Sequence, residues 1–233
     1  QRLVKHHCLD IVYPNQSFTA ADFVTAAKNA EKQIYRRGKK VITVGGSGLF
    51  IDAHVYDFSM VPPNRSKRQF YEQWDVAGLQ AEIINKKMTL PINSKNKRHL
   101  IHTLEREGLP APTRNPISAS TIIVGISPAK NERLERITLR AQEMIDGGVV
   151  DEARQLYDEY GQQNAFRGGV YSVIGQYIGG NIEIDALEEA IIRSDMYLAK
   201  RQMTWFKRNK DIHWFDTAQD ARVWLEDSLK GTL

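Results

Sequence analysis

The chain has 233 residues, of which 42% are hydrophobic and 26% charged, and these proportions exclude an intrinsically disordered protein. A formal net charge of +4 is too small to identify a partner by itself, although the sequence pI is about 9.1. The single cysteine, Cys8, excludes an intrachain disulfide framework, and no apolar run is long enough to span a membrane. We therefore expect a cytoplasmic globular protein.

The first predicted elements form an α/β unit. Residues 5–16 favour a strand or turn that breaks at Pro14, and a helix follows, with Ser17 or Thr19 as the N-cap. Apolar residues at helical spacing continue to Gly38, where a helix commonly stops. Residues 41–44 (VITV) are β-branched and apolar, which predicts a short buried strand. Helix followed by buried strand is typical of a parallel sheet.

A glycine-rich loop, GGSGLF, follows that strand at residues 45–50. Open α/β sheets bind ligands at the carboxyl ends of their strands, so the position favours a binding loop. The spacing, however, fits neither the dinucleotide fingerprint G-x-G-x-x-G nor the P-loop G-x-x-x-x-G-K-[ST]. From the pattern alone, a ligand-binding loop and a plain structural turn are both open.

The chain then leaves the sheet and returns to it. Residues 60–115 are polar, basic and helical, with a proline-rich linker at their end, whereas residues 120–128 (STIIVGISP) predict a buried strand. The prediction is an α/β core formed by residues 1–59 and 116–233, with a small helical insertion domain at residues 60–115. In the second half, we expect helices interrupted at Gly147, a long helix within residues 182–210, a last strand at 213–216 and a terminal helix.

Basic residues gather in three segments, at residues 64–68, 95–102 and 198–210. In the third, cations fall on one helical arc beside an apolar stripe; the arc holds Arg193, Lys200, Arg201, Thr204, Lys207 and Arg208. Cations bind RNA phosphates and aromatic faces stack on unpaired bases, so the segment favours nucleic acid. The alternative is a solvated helix face, with Trp205 of the apolar stripe in the core.

Other catalytic patterns are weak. His99 and His102 lie three residues apart without a carboxylate or cysteine to complete a metal site, which favours surface histidines. No nucleophile elbow occurs in the sequence. Cys8 lies beside His6 and His7, but a half-buried structural cysteine is the better interpretation, because sequence neighbours rarely form a catalytic pair.

Four segments, in order along the chain, resemble the tRNA dimethylallyltransferase family, also called tRNA isopentenyltransferases. Residues 5–23 (KHHCLDIVYPNQSFTAADF) resemble its HHLIDI…P…YSAADF segment, and residues 41–58 (VITVGGSGLFIDAHVYDF) its GGTGLYI segment. Residues 97–107 (KRHLIHTLERE) resemble its RRVIRALEV helix, and residues 198–216 (LAKRQMTWFKRNKDIHWFD) its AKRQ-TWFR ending. The resemblance implies a P-loop-NTPase-like parallel sheet with flanking helices, incomplete at its N-terminus, and a small helical insertion domain.

The resemblance also implies a reaction. Members of this family transfer a dimethylallyl group from dimethylallyl diphosphate to the N6-amino group of the adenosine 3′ of the anticodon, with Mg²⁺ assisting departure of diphosphate. The target base must leave its stack to reach such a site. The implied partners are a tRNA anticodon stem-loop, gripped by residues 60–115, and the diphosphate donor. A monomer without membrane contact is expected, and the ligands of Mg²⁺ are expected outside this chain.

Individual residues follow from the matched motifs. Ser47 corresponds to the family's threonine beside the acceptor adenosine and is the expected catalytic, acceptor-side hydroxyl. The residues expected to bind tRNA are Arg68, Arg98, His102, Arg167, Tyr171, Lys200, Arg201, Gln202, Thr204, Trp205 and Lys207.

The sequence departs from the family pattern at three places. The P-loop and the aspartate that acts as general base do not precede Lys5, and we expect them upstream of this chain. Ser172 and Met196 stand where the family carries cations. These two losses indicate a divergent family member, or one that binds the donor diphosphate more weakly. Two alternatives therefore stay open: a non-catalytic, RNA-binding paralogue, and an adenylate isopentenyltransferase, although the latter needs no basic insertion.

Overall fold

A computed structural model describes residues 4–58, 64–107, 109, 114–161, 166 and 168–230. Helices and strands follow in the order Ala20–Tyr35 (α1), Gly48–Val55 (α2), Arg65–Glu72 (α3), Val76–Asn85 (α4), Lys97–Glu105 (α5), Ile123–Ile126 (β1), Lys130–Asp146 (α6), Val149–Tyr160 (α7), Gly169–Ile178 (α8), Leu187–Phe206 (α9), Ile212–Phe215 (β2) and Ala218–Lys230 (α10). The chain divides into two units, residues 1–51 with 117–233 and residues 52–116. Across the described ranges, no helix is both long and apolar enough to cross a membrane.

Helix α1 begins with a capping box. The Thr19 side chain accepts a hydrogen bond from the Asp22 amide at 3.3 Å, and the Thr19 amide donates to Asp22 Oδ2 at 2.8 Å. This exchange satisfies two amides that the first helical turn leaves without intrahelical partners. Of the two predicted N-caps, Thr19 is therefore the one used. Gly38, at φ 65°, follows the end of the helix in the left-handed region, as predicted for its stop.

The described sheet has two parallel strands. Ile123 of β1 lies opposite Ile212 of β2, and Ile126 lies opposite Phe215. This pairing confirms the parallel sheet and both strands predicted in the second half of the chain. The strand predicted within residues 120–128 is therefore present, but its expected burial is wrong. β1 is only half-buried, and Ile126 is 43% exposed.

The predicted strand at residues 41–44 is also wrong. The segment is irregular, and Ile42 and Val44 are 87% and 90% exposed. Residue type favours an extended chain there, but a strand also needs a neighbour that satisfies its backbone amides and carbonyls. In the described part of the chain the sheet contains only β1 and β2. Residues 5–16 form bends and turns, so the turn alternative holds there.

Helices α6 to α9 build the core of the first unit. Buried side chains from these helices, and Phe166 from the segment between α7 and α8, pack into one cluster: Ala141, Ala153, Phe166, Val173, Ile174, Leu187 and Ile191. The predicted interruption at Gly147 is confirmed, because α6 ends there and α7 starts after Gly148, whose φ is 86°. A left-handed residue at this point lets two helices of the bundle follow each other through a tight turn.

The second unit has its own core. Helices α3, α4 and α5 enclose a cluster made of Tyr71, Leu79, Ile83, Leu100, Ile101 and Leu104. The predicted polar helical stretch after residue 64 is in fact two helices, because Asp75 caps a new one by accepting from the Gly78 amide at 2.7 Å. The insertion predicted at residues 60–115 falls inside this unit.

The two ends of the second unit are tied together, and we call this arrangement the clasp. Arg114 Nη2 donates to Asp52 Oδ2 at 2.5 Å, and its guanidinium lies 4.4 Å from the centroid of the Tyr56 ring. The Asn115 amide donates to the Tyr56 carbonyl at 3.0 Å, and Asn115 Nδ2 donates to the Asp57 carbonyl at 3.1 Å. Asp52 is buried, so Arg114 supplies charge to a carboxylate that is largely withdrawn from water.

We expect Arg114→Ala to weaken the second unit, because it removes a charged hydrogen-bond donor from the buried Asp52 carboxylate. The free energy of opening of the α4 and α5 amides should fall by about 1–2 kcal/mol, since Arg114 itself is partly solvated. Hydrogen–deuterium exchange of those helices measures this. Arg222→Ala, which breaks the exposed pair with Glu226, is the control and should change nothing measurable. Unaltered exchange in Arg114→Ala would contradict a stabilising clasp.

Candidate functional site

The glycine-rich loop leads directly into helix α2. The Ser47 carbonyl accepts a hydrogen bond from the Ile51 amide at 3.0 Å, which places Ser47 at the N-cap position of that helix. The Ser47 side chain is exposed. A hydroxyl is both a donor and an acceptor, so this side chain can exchange hydrogen bonds with a polar ligand at the helix start.

Close packing by α9 explains why the loop contains glycine. Neither Gly46 nor Gly48 has a positive φ, so backbone conformation does not require glycine at either position. At Gly46 a Cβ would lie 3.1 Å from Gln202 Cδ and closer still to Nε2. At Gly48 it would lie 2.6 Å from Trp205 Nε1. At Gly48 such a Cβ would displace the Trp205 indole, and at Gly46 it would displace the carboxamide at the flexible end of Gln202, so both glycines favour the close approach of the helix.

The exposed face of α9 carries a shallow groove of about 270 Å³. Its lining residues are Tyr197, Lys200, Arg201, Thr204, Trp205 and Arg208. The Arg201 guanidinium lies 5.1 Å from the centroid of the Tyr197 ring, which orients the cation along the groove. No carboxylate of the described residues pairs with Lys200, Arg201 or Arg208, and their charge faces solvent. The groove therefore combines available cations with two aromatic faces.

Trp205 is not a core residue, so the alternative that placed this part of the apolar stripe in the core is wrong. Leu187 and Ile191 are fully buried in the core of the first unit, whereas Trp205 is 41% exposed. Helix α9 has 20 residues and is thus about 30 Å long, and its buried residues, Leu187, Ile191 and Asp195, all lie in its first half. The arc of cations is also divided, because Arg193 pairs with Glu189 at 3.1 Å and does not line the groove.

Three of the expected tRNA-binding residues belong to the second unit. Arg68 Nη2 donates to Glu105 Oε2 at 2.8 Å, and this carboxylate is buried. Arg98 is exposed near the start of α5. Burial and then the charge of Arg106 lower the pKa of His102 below its usual value, so the imidazole is mostly neutral at pH 7.

One further expected residue, Tyr171, lies on α8. The Tyr171 hydroxyl donates to Glu152 Oε1 at 2.8 Å, and its ring centroid is 6.2 Å from that of Phe166. Burial and this hydrogen bond raise the pKa of Tyr171 to about 12. Its contacts are thus those of a core side chain, and it does not join Ser47. Arg167 lies outside the described residues.

The remaining expected residues lie on α9 or at its end. Gln202 and Trp205 lie against the glycine-rich loop, while Lys200, Arg201 and Thr204 line the groove. Lys207 is exposed at the helix C-cap. The structure therefore brings Ser47, Gln202 and Trp205 together within the first unit.

Sequence reasoning missed Tyr197 as a site residue. Its neighbour Met196 stood only as a departure from the family pattern, but Tyr197 shares the groove with Arg201 and Arg208. Steps of four and seven residues place these three side chains on one helical face, and this spacing was the available signal.

The described residues provide no carboxylate set for a divalent metal. Within those ranges, no three His, Cys, Asp or Glu side chains lie close enough to share an ion. Oxygen ligands are what Mg²⁺ requires in proteins. The described side chains therefore do not fit the role of a Mg²⁺ cage.

Comparisons with known proteins agree with these features. A sequence model of the family described as IPP transferase matches residues 1–209. A tRNA dimethylallyltransferase of Anoxybacillus flavithermus is 30% identical, over 94% of this chain and 74% of its own length. The tRNA dimethylallyltransferase 1 of Citrifermentans bemidjiense is 33% identical, over 91% of this chain and 74% of its own length.

Solved structures give the same result. The tRNA isopentenylpyrophosphate transferase of Bacillus halodurans superposes with a TM-score of 0.70 at 27% identity, covering 99% of this chain and 78% of that one. A eukaryotic dimethylallyltransferase acting on tRNA superposes with a TM-score of 0.75 at 19% identity, over 99% of this chain and 67% of that one, and this likeness shows the fold alone. These matches confirm the predicted α/β fold class and the resemblance found in four segments. The chain belongs to the IPP transferase family.

Proposed function

We propose that this protein is a tRNA-modifying dimethylallyltransferase. It transfers a dimethylallyl group from dimethylallyl diphosphate to the N6-amino group of the adenosine 3′ of the anticodon. The observation that carries the proposal is the packing of the Ser47 loop against α9, whose outer face holds the cationic groove. A hydroxyl and an RNA-compatible surface thereby belong to one continuous part of the first unit.

The groove has the chemistry that an RNA strand needs. Lys200, Arg201 and Arg208 offer positive charge for phosphates, and Tyr197 and Trp205 offer faces for unstacked bases. An anticodon loop presents both, because its bases are unpaired and its backbone is charged. A target adenosine that leaves the stack can then approach the adjacent loop.

Ser47 acts on the acceptor in this proposal. In the transfer, the adenosine N6 forms a bond to the allylic carbon, the bond from that carbon to the diphosphate oxygen breaks, and N6 loses a proton to a base. The Ser47 hydroxyl holds the adenine edge by hydrogen bonding and so orients the amine.

The donor side of the reaction follows from membership of the family. Dimethylallyl diphosphate as co-substrate and Mg²⁺ as cofactor follow from the family, and no step here passes through the metal, because the described side chains do not form a site for it. A cytoplasmic, monomeric enzyme is also part of the proposal. A single, half-buried cysteine supports a reducing compartment, as expected for Cys8.

Ser47→Ala tests the acceptor role. In the full-length protein, with the P-loop and general base expected upstream of this chain, we expect single-turnover transfer from dimethylallyl diphosphate to an anticodon stem-loop to slow about 2- to 10-fold, the effect of losing one hydrogen bond. Stem-loop affinity should stay within about 2-fold of the wild type. Ser47→Thr, which keeps the hydroxyl, is the matched control and should restore most of the rate. Equal rates for Ser47→Ala and wild type would remove the role of Ser47, and no transfer by the wild type would overturn the proposed activity.

Arg201→Ala tests the groove. Loss of one phosphate contact should weaken stem-loop binding several-fold and make the plot of log K against log salt about 0.7–0.9 unit less steep. Fluorescence anisotropy of a labelled stem-loop across a salt series measures both quantities. Arg193→Ala removes an equivalent charge from the same helix, but one that is paired with Glu189 outside the groove, and it should behave as wild type. If the two variants lose affinity equally, net charge rather than the groove is responsible.

A further inference from the structure

Gln202 differs from its neighbours on α9. Lys200 and Arg201 are exposed, and Arg201 and Thr204 line the groove, whereas Gln202 is half-buried. Its carboxamide lies where a side chain on Gly46 would stand. The binding of RNA phosphates does not account for an uncharged side chain aimed at the loop, so its position requires another explanation.

The contact with Gly46 constrains the residue that follows it. A Cβ on Gly46 would lie 3.1 Å from Gln202 Cδ and 3.6 Å from Oε1, so the two residues pack without space for a methyl group. Ser47 comes next, and its carbonyl accepts from the Ile51 amide at 3.0 Å. Ser47 is thus held from one side by helix α2 and from the other through Gly46 by Gln202.

Trp205 supports the same arrangement one helical turn further on. Its indole fills the space beside Gly48 and also lines the groove. Gln202 and Trp205 are three residues apart and so lie on neighbouring positions of one helical face. The loop is therefore packed on both sides of Ser47 by the helix that carries the exposed cations.

We propose that Gln202 is a positioning residue, which fixes the Ser47 hydroxyl by packing against Gly46. This inference rests on the proposed function for its catalytic consequence. The helix that contacts RNA through Lys200 and Arg201 then also sets the place of the acceptor-side hydroxyl. RNA docking and placement of the hydroxyl share one rigid element.

Gly46→Ala and Gln202→Ala form a double-mutant test. In Gly46→Ala the new methyl group displaces the carboxamide, which is the mobile end of a long side chain, so the protein should still fold. We expect each single variant to lower kcat about 5- to 10-fold while KM for the stem-loop stays within about 2-fold. In the double variant the methyl group meets empty space. Its kcat should therefore be no lower than that of Gln202→Ala alone, which is a strongly non-additive result.

A second measurement does not depend on transfer. Hydrogen exchange of the Ile51 amide reports the bond that Ser47 accepts. In the free protein, Gln202→Ala and Gly46→Ala should each speed this exchange at least about 3-fold, with the double variant no faster than the faster single variant. Gln142→Ala removes a glutamine that instead contacts Glu188 at the start of α9, and it should leave both the exchange and the kcat unchanged.

The outcomes separate the two proposals. Unchanged Ile51 exchange in Gln202→Ala, or purely additive losses in the double variant, would overturn the positioning role even if transfer is normal in the wild type. A rise in stem-loop KM with constant kcat would show that Gln202 only binds RNA, and would also overturn it. Absence of transfer by the wild type would remove the proposed function, while the exchange measurement would still decide whether Gln202 holds the loop.

Discussion

The close approach of α9 to the glycine-rich loop is the constraint on which the candidate site depends. Gln202 and Trp205 occupy the space that any larger residue at positions 46 and 48 would need. The indole ring of Trp205 can come so near only because Gly48 lacks a side chain, whereas the flexible end of Gln202 packs into the space left by Gly46. The loop is therefore glycine-rich because helix α9 packs against it, and its glycines do not indicate a phosphate-binding loop.

Helix α9 performs different tasks along its length. Its first half is a core element, because Leu187 and Ile191 are buried among α6, α7 and α8. The second half contains none of the buried residues of α9, and there Trp205 is 41% exposed while the cations of the groove face solvent. The buried half anchors the exposed half, so the groove is positioned by hydrophobic packing that takes no part in binding. A site on a well-packed helix keeps its geometry better than a site on a loop.

Local rules predicted the features that depend on local interactions. The N-cap at Thr19 and the break at Gly147 follow from one or two residues and their neighbours, and both were predicted from the sequence. The long helix and the two paired strands follow from periodicity and β-branched runs. The strand predicted at residues 41–44 is wrong because a strand needs a hydrogen-bonded neighbour, and residue type carries no information about that neighbour. The alternative that placed Trp205 in the core is wrong, because a stripe at helical spacing does not show which of its residues the rest of the protein covers. The motifs predicted Ser47 as a site residue, but the part played by Gln202 required knowledge of what lies opposite Gly46.

The clasp has a consequence for how the second unit can vary. The contacts of Arg114 and Asn115 with Asp52 and Tyr56 bring the two ends of the unit together. Once the ends are joined, the segment between them behaves as a closed loop, and doubling the length of such a loop costs only about 0.6 kcal/mol of closure entropy. The segment between the joined ends can therefore accommodate insertions, deletions or a different arrangement of helices, while the two chain ends keep their spacing.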